Sequence, residues 1–179
     1  LRVISGSARG LKLTSLDGLE TRPTLDRVKE ALFSMLTPNL ANARVLDLFA
    51  GSGALGIEAL SRGSLSAVFV DSLPKALDIV KNNAALARVD ANATFQLSDA
   101  LSFLKKSSEQ FDIIFLDPPY ASDLYGRALS LIAENNLLSK DGVIAVEWDS
   151  ALQRPTIPDF FSVIKERRYG RVMITLLCA

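Results

Sequence analysis

The sequence predicts an α/β protein with a mostly parallel sheet covered on both faces, and three observations carry that prediction. An apolar strand, a glycine turn and a helix follow one another from Val45 to Leu60. Strand-like and helix-like segments then alternate along most of the remaining chain. Asp47, Asp71, Asp99 and Asp117 each close one of four successive strands. In an open sheet of this kind the ligand crevice lies outside the carboxyl ends of the strands.

In order, Arg2-Val3-Ile4-Ser5-Gly6 and Gly10-Leu11-Lys12-Leu13 predict a small hairpin ahead of the main body. Leu25, Val28, Leu32, Met35 and Leu36 form one helical stripe, with Thr24 as N-cap and Thr37-Pro38-Asn39 as its end. The helix after the glycine turn has amphipathic spacing and stops at Gly63. Strands are expected at Ala67–Asp71, Ala93–Leu97, Phe111–Asp117 and Val143–Trp148, the last entered through a turn at Asp141-Gly142. Helices are expected at Pro74–Leu86, after Asp99, and from Leu124 to Glu134. Phe161–Glu166 and Val172–Leu177, joined near Tyr169-Gly170, predict a terminal hairpin that brings in an antiparallel strand.

Composition narrows the chemistry. The 179 residues include no histidine, which excludes a Ser-His-Asp hydrolase and most zinc sites, and no metal is expected. The single cysteine, Cys178, permits no internal disulfide and fits a reducing cytoplasm. No apolar run reaches membrane-span length, no signal peptide is expected, and the absent initiator methionine suggests residues ahead of Leu1. Twenty basic and twenty acidic side chains cancel, so there is no global signature of nucleic-acid binding. Small basic clusters at Arg2, Arg9 and Lys12, and at Lys165, Arg167, Arg168 and Arg171, fit solvated surface as well as phosphate contacts.

Gly51, Gly53 and Gly56 spell G-x-G-x-x-G, and Asp71 stands where a ribose-binding acid belongs. That match suggests NAD, but the carboxylate of Asp47 places negative charge near the pyrophosphate cradle. A cofactor carrying an ammonium and a sulfonium, such as S-adenosylmethionine, would welcome the acid. A packing turn without ligand is the plainer alternative, and the glycines alone leave the cofactor open.

Asp117-Pro118-Pro119-Tyr120 is the stretch that carries chemistry. Its prolines fix φ and press the preceding residues into extended geometry, so the carbonyls of Asp117 and Pro118 are aimed. The aromatic ring that follows suits stacking on a flat base removed from its stack. An exocyclic amine is a poor nucleophile because its lone pair is delocalised. Accepting hydrogen bonds from its N–H groups favours a pyramidal nitrogen and returns that lone pair for attack on a methyl group. The plainer alternative is a Pro-Pro turn with a packed tyrosine.

This motif resembles that of class I S-adenosylmethionine-dependent methyltransferases acting on nucleobase amines. With it, Arg2–Gly6, Arg9–Leu13, Thr21-Arg22-Pro23-Thr24, Arg27–Phe33 and Asp47–Gly63 resemble the RsmD-type guanine-N2 methyltransferases of small-subunit ribosomal RNA. The resemblance covers nearly the whole chain and is strongest before residue 72. It implies a Rossmann-like seven-stranded sheet with the last strand antiparallel, in a single domain over residues 1–179. Residues 1–20 would be the hairpin extension and 21–179 the S-adenosylmethionine-binding core. It implies that Asp47, Gly51 and Gly53 hold the methionine end of the cofactor, with Arg22 and Thr24 closing that pocket, and that Phe49 also binds the cofactor. Asp71 would hold the ribose, and Asp99 with Ala100 the adenine. Asp117, Pro118 and Tyr120 would hold the target guanine. The expected partner is ribosomal RNA, and the neutral net charge favours RNA already assembled with ribosomal proteins. A cytoplasmic monomer is expected.

Alternatives from other classes make different demands. An NAD-dependent oxidoreductase shares the glycines and Asp71 but leaves Asp117–Tyr120 without a role. A non-enzymatic RNA-binding module needs none of the strand-end acids. The motif by itself also fits adenine-N6 or cytosine-N4 methylation in DNA.

Overall fold

The computed structural model describes residues 1–16, 23–118 and 123–179, with side chains from Asp26 onward in the second stretch. Helix α1 (Pro23–Leu40) precedes β1 (Arg44–Asp47), α2 (Ala54–Ser61), β2 (Ser66–Asp71), α3 (Pro74–Leu86) and β3 (Ala93–Leu97). Then come α4 (Ala100–Lys106), β4 (Phe111–Leu116), α5 (Asp123–Glu134), β5 (Leu138–Asp149), β6 (Ser162–Tyr169) and β7 (Val172–Cys178). The strands form one seven-stranded sheet in the order β3-β2-β1-β4-β5-β7-β6. β1 to β5 pair in parallel, while β7 inserts antiparallel between β5 and β6. The predicted α/β class and the antiparallel terminal hairpin are both present.

Alternation along the strands divides the core in two. Val45, Phe69, Phe115, Ala145 and Ile174 pack on one face beneath α1, α2 and α3. Leu46, Val70, Leu116, Val146 and Leu177 pack on the other against α4 and α5. Because side chains alternate with period two, Asp47, Asp71, Asp117 and Glu147 all project on the first face. Phe69 pairs with Asp47, Asp47 with Phe115, and Phe115 with Ala145. Asp71, Asp117 and Glu147 therefore stand one row beyond Asp47, at the carboxyl edge of the sheet.

Three elements differ from the sequence reading. Helix α1 begins at Pro23, so Thr24 lies in its first turn and is not its N-cap. The helix also continues through Pro38 to Leu40, although proline removes one backbone donor. Burial of Leu36 and Leu40 outweighs that loss, and the Leu40 carbonyl accepts bonds from Ser64 Oγ and the Ala43 amide. Asp141-Gly142 does not precede the fifth strand but lies inside it. The partner of β4 jumps from Leu138 to Val143, leaving residues 139–142 as an excursion within β5.

Helix α2 is buried on every side from Gly56 to Ser61 rather than amphipathic, because the N-terminal segment covers its outer face. That segment is a short hairpin with one antiparallel bridge, Arg2 to Lys12. Its Ile4 and Ser5 amides donate to the Glu58 carboxylate at 2.7 and 3.0 Å. Lys29 and Arg62 pair with the same carboxylate at 3.1 and 2.8 Å. Lys29 also donates to the Arg2 carbonyl, and Arg62 lies over the Phe33 ring. These contacts match rising positions on α1 with rising positions on α2, so the two helices run side by side. The first turn of α1 thus lies at the same end of the sheet as the glycine turn.

Candidate active site

A cavity of about 640 Å³ opens at the carboxyl ends of the strands. It runs from Leu73 and Asp99 on the β2–β3 side, past Asp117, to Leu152 and Arg171 beside β5 and β7.

The glycine turn forms part of its wall. Gly51 and Gly53 have φ of +55° and +75°, a left-handed region that strains any side chain. A Cβ on Gly53 would come within 2.7 Å of Val80, so this glycine also admits α3. Gly56 is needed for packing: a Cβ there would stand 2.3 Å from Phe69 Cε1. Asn83, a residue the sequence reading passed over, braces the turn from α3. Its Nδ2 donates to the carbonyls of Ser52 and Thr14, and its Oδ1 accepts from the Thr14 amide. An asparagine between buried apolar positions of a helix was the available signal.

Asp71 lines the cavity and organises its backbone. Oδ2 accepts from the Gly51 amide and Oδ1 from the Leu73 amide, each at 2.9 Å. Each carboxylate oxygen has a second lone pair for an incoming hydroxyl. Asp99 is the N-cap of α4, accepting from the Ser102 amide at 3.0 Å. Hydrogen bonding from the Ser102 hydroxyl and then its amide holds the Asp99 carboxyl below the usual carboxylate range. Phe49, Gly51, Ala100, Asp117 and Pro118 line the same cavity.

Asp47 and Gly53 do not line it. Asp47 is buried beneath the turn, where Oδ2 accepts from the Gly56 amide at 3.0 Å. Burial pushes its carboxyl up to about 7; the Gly56 bond opposes this, and the charges of Asp117 and Asp71 add to it. Arg22 and Tyr120 lie outside the described residues, as does the Thr24 side chain. The Thr24 backbone belongs to the first turn of α1, at the glycine-turn end of the sheet.

Glu147 is the acid the sequence reading missed. It lines the cavity beside Asp117, one step beyond the Leu116–Val146 pair. Its backbone carbonyl accepts from the Tyr125 hydroxyl at 2.9 Å. Burial and the Asp117 charge push its carboxyl up to about 8, and desolvation raises the Asp117 carboxyl to about 6. The signal was available: Glu147 ends the apolar run Val143–Val146 as each aspartate ends its own strand. Trp148 follows, also on the cavity wall, its Nε1 donating to Thr175 Oγ1 at 3.0 Å. Asp149 and Arg171 close that end as an ion pair at 2.6 Å.

Residues 1–178 match the protein-family model described as "Conserved hypothetical protein 95". The chain is 38% identical over 178 residues to the "Ribosomal RNA small subunit methyltransferase D" of Escherichia coli K12, spanning 98% of this chain and 88% of that protein. It belongs to the RsmD family. Another relative, the "Putative rRNA methyltransferase YlbH" of Bacillus subtilis, is 43% identical over 174 residues, 95% of this chain and 94% of that one. The solved structure titled "Putative methyltransferase yhhF from Escherichia coli" superposes with a TM-score of 0.89 at 34% identity, covering 99% of this chain and 96% of that one. The RsmD-family resemblance read from the sequence is thus met along nearly the whole chain.

Proposed function

We propose that this chain transfers a methyl group from S-adenosylmethionine to the 2-amine of a guanine in small-subunit ribosomal RNA. The observation that carries this reading is the position of Asp117 and Pro118. They sit at the end of a central strand, in the same cavity as Asp71 and Asp99. The names of the relatives point to ribosomal RNA as the acceptor.

The residues fit the cofactor. Asp71 has one free lone pair on each oxygen for a ribose diol, beside backbone that it already positions. Asp99 and Ala100 stand at the adenine end. Phe49 and Gly51 line the methionine end, with Gly53 setting the turn behind them, and the family resemblance adds Arg22 and Thr24 as the residues that close that pocket. Asp47, Asp71, Asp117 and Glu147 gather acidic groups on one face, where burial first and then the charge of Asp117 raise both Asp47 and Glu147. A ligand with a sulfonium and an ammonium relieves that repulsion, whereas a pyrophosphate would add to it.

When bound, S-adenosylmethionine supplies an electrophilic methyl group. The chain's part is to present the nucleophile. Asp117 and the Pro118 carbonyl accept from the target amine, an interaction that strengthens as the nitrogen turns pyramidal. Tyr120 stacks on the base. Net neutrality favours a particle already carrying ribosomal proteins over naked RNA, and the enzyme works as a cytoplasmic monomer.

The test is mass spectrometry of nucleosides from small-subunit rRNA incubated with the protein and isotopically labelled S-adenosylmethionine. Labelled N2-methylguanosine is expected, formed faster on assembled particles than on protein-free RNA. Label in N6-methyladenosine or N4-methylcytidine, or no transfer at all, would overturn the assignment.

A further inference from the structure

A pocket for an exocyclic amine does not by itself identify guanine, because adenine and cytosine carry amines too. The difference lies in the neighbouring ring atom. Beside its 2-amine guanine has N1–H, a donor; beside theirs, adenine and cytosine have a bare ring nitrogen, an acceptor. We propose that Glu147 selects guanine by accepting a hydrogen bond from N1–H while Asp117 and Pro118 hold the adjacent amine. This rests on the methyltransferase reading above and names the group that sets its base specificity.

Geometry comes first. Asp117 and Glu147 follow the paired residues Leu116 and Val146 on adjacent parallel strands and project on the same face. Strands in a sheet lie about 4.8 Å apart, so the two carboxylates stand side by side at the scale of a base edge. Both line the cavity. The root of Glu147 is fixed by Ile174 of β7 beside it and by the Tyr125 hydroxyl on its carbonyl, one residue beyond the last β4 pair, Leu116 with Val146.

Availability comes second. Other acids around the cavity are engaged: Asp71 by two amides, Asp99 by Ser102, and Asp149 by Arg171. Among the described residues, no hydrogen bond or ion pair reaches the Glu147 carboxylate, although it is partly buried and lies on the cavity wall. A partly buried carboxylate without a partner calls for a donor. Burial and the Asp117 charge favour its protonated form in the free chain. A base edge offering two donors favours the ionised form of both acids and relieves their mutual repulsion.

Chemistry comes third. An ionised carboxylate only accepts hydrogen bonds. Two of them match the donor–donor edge of guanine and set a lone pair against the bare nitrogen of adenine or cytosine. Discrimination of this kind depends as much on the repulsion as on the attraction.

The experiment compares wild type with Glu147→Gln on two versions of small-subunit rRNA, assembled from a synthetic piece carrying the mapped target nucleotide. One version holds guanine. The other holds 2-aminopurine, which keeps the 2-amine but has a bare N1. Wild type is expected to lose roughly 10²-fold or more in kcat/KM on 2-aminopurine, as sites built to hydrogen-bond a group reject analogues that lack it. Glu147→Gln, whose amide donates to a bare nitrogen, is expected to lose about tenfold on guanine and regain about tenfold on 2-aminopurine. Equal damage on both RNAs would mark Glu147 as structural and overturn the proposal, as would a wild type that treats both alike. Failure of wild type to methylate the guanine version would instead refute the functional reading on which the proposal rests.

Discussion

Asp47 Oδ2 accepts a hydrogen bond from the Gly56 amide at 3.0 Å, tying the end of β1 to the first turn of α2 beneath the glycine turn. The bond does not offset the cost of burying that charge, and the carboxyl is pushed up to about 7. The native state therefore keeps a proton that the unfolded chain, with an ordinary carboxylate near 4, has already lost. Stability falls as pH rises from about 4 through 7. Asp47→Asn removes this slope and can keep the bond to Gly56. Without ligand it should be more stable than wild type at pH 8, by roughly 2–4 kcal/mol, and equal near pH 4. S-adenosylmethionine should stabilise wild type more than the variant, because the variant has lost the charge that a cation would meet. Thermal unfolding at the two pH values, with and without ligand, checks both statements.

Gly56 separates packing from binding within the glycine fingerprint. Gly56→Ala drives a methyl group against the Phe69 ring, which is fully buried between β2 and α2. Overpacking of this kind costs about 1–3 kcal/mol. Denaturant unfolding should show that loss, and Phe69→Leu should restore part of it. Cofactor affinity per folded molecule should hold, as measured by calorimetry. A large fall in affinity would place Gly56 in the binding surface after all.

Glu58 joins the N-terminal segment to the core. It accepts two backbone amides and pairs with both Lys29 and Arg62. Lys29 is buried, and desolvation lowers its pKa despite Glu58 beside it. Glu58→Gln leaves that ammonium without its counter-charge and should cost about 3–5 kcal/mol. Replacing Lys29 by Met in the same chain should recover much of the loss. Equilibrium unfolding of the single and double variants is the measurement, and a neutral single variant would remove the network from the account of stability.

Much of this was legible in the sequence because it depended on period and punctuation. Pro74–Leu86 and Ala93–Leu97 occupy the predicted residues, and each of the four aspartates stands at a strand end. What was not legible depended on neighbours distant in sequence. Pro38 reads as a helix stop until the burial of Leu40 is known. Glu58 reads as the polar face of an amphipathic helix until Ile4 and Ser5 are seen to cover it. Asp47 reads as open to a ligand until Gly56 is found on it. Glu147 obeys the same rule on β5 but lies inside a strand that runs on to Asp149, so it does not mark a strand end in the sequence.

Asp117 and Tyr120 have different parts in the proposed reaction. Asp117 accepts from the amine more strongly as the nitrogen pyramidalises, so its loss acts on the transition state rather than on binding. Asp117→Ala should lower the single-turnover methyl-transfer rate by about 10²–10³-fold, the range for removing one preorganised hydrogen-bonding group. Cofactor affinity should change little. One negative charge is lost near the sulfonium, but the raised carboxyls of Asp47 and Glu147 ionise more readily without Asp117 beside them. Tyr120 supplies a ring, so Tyr120→Phe should keep most activity, whereas Tyr120→Ala should lose stacking of roughly 1–3 kcal/mol. Rates at saturating RNA and S-adenosylmethionine make the comparison, because they isolate chemistry from association. If Tyr120→Phe were as impaired as Asp117→Ala, the hydroxyl would be the working group, and the division of labour between the two residues would be wrong.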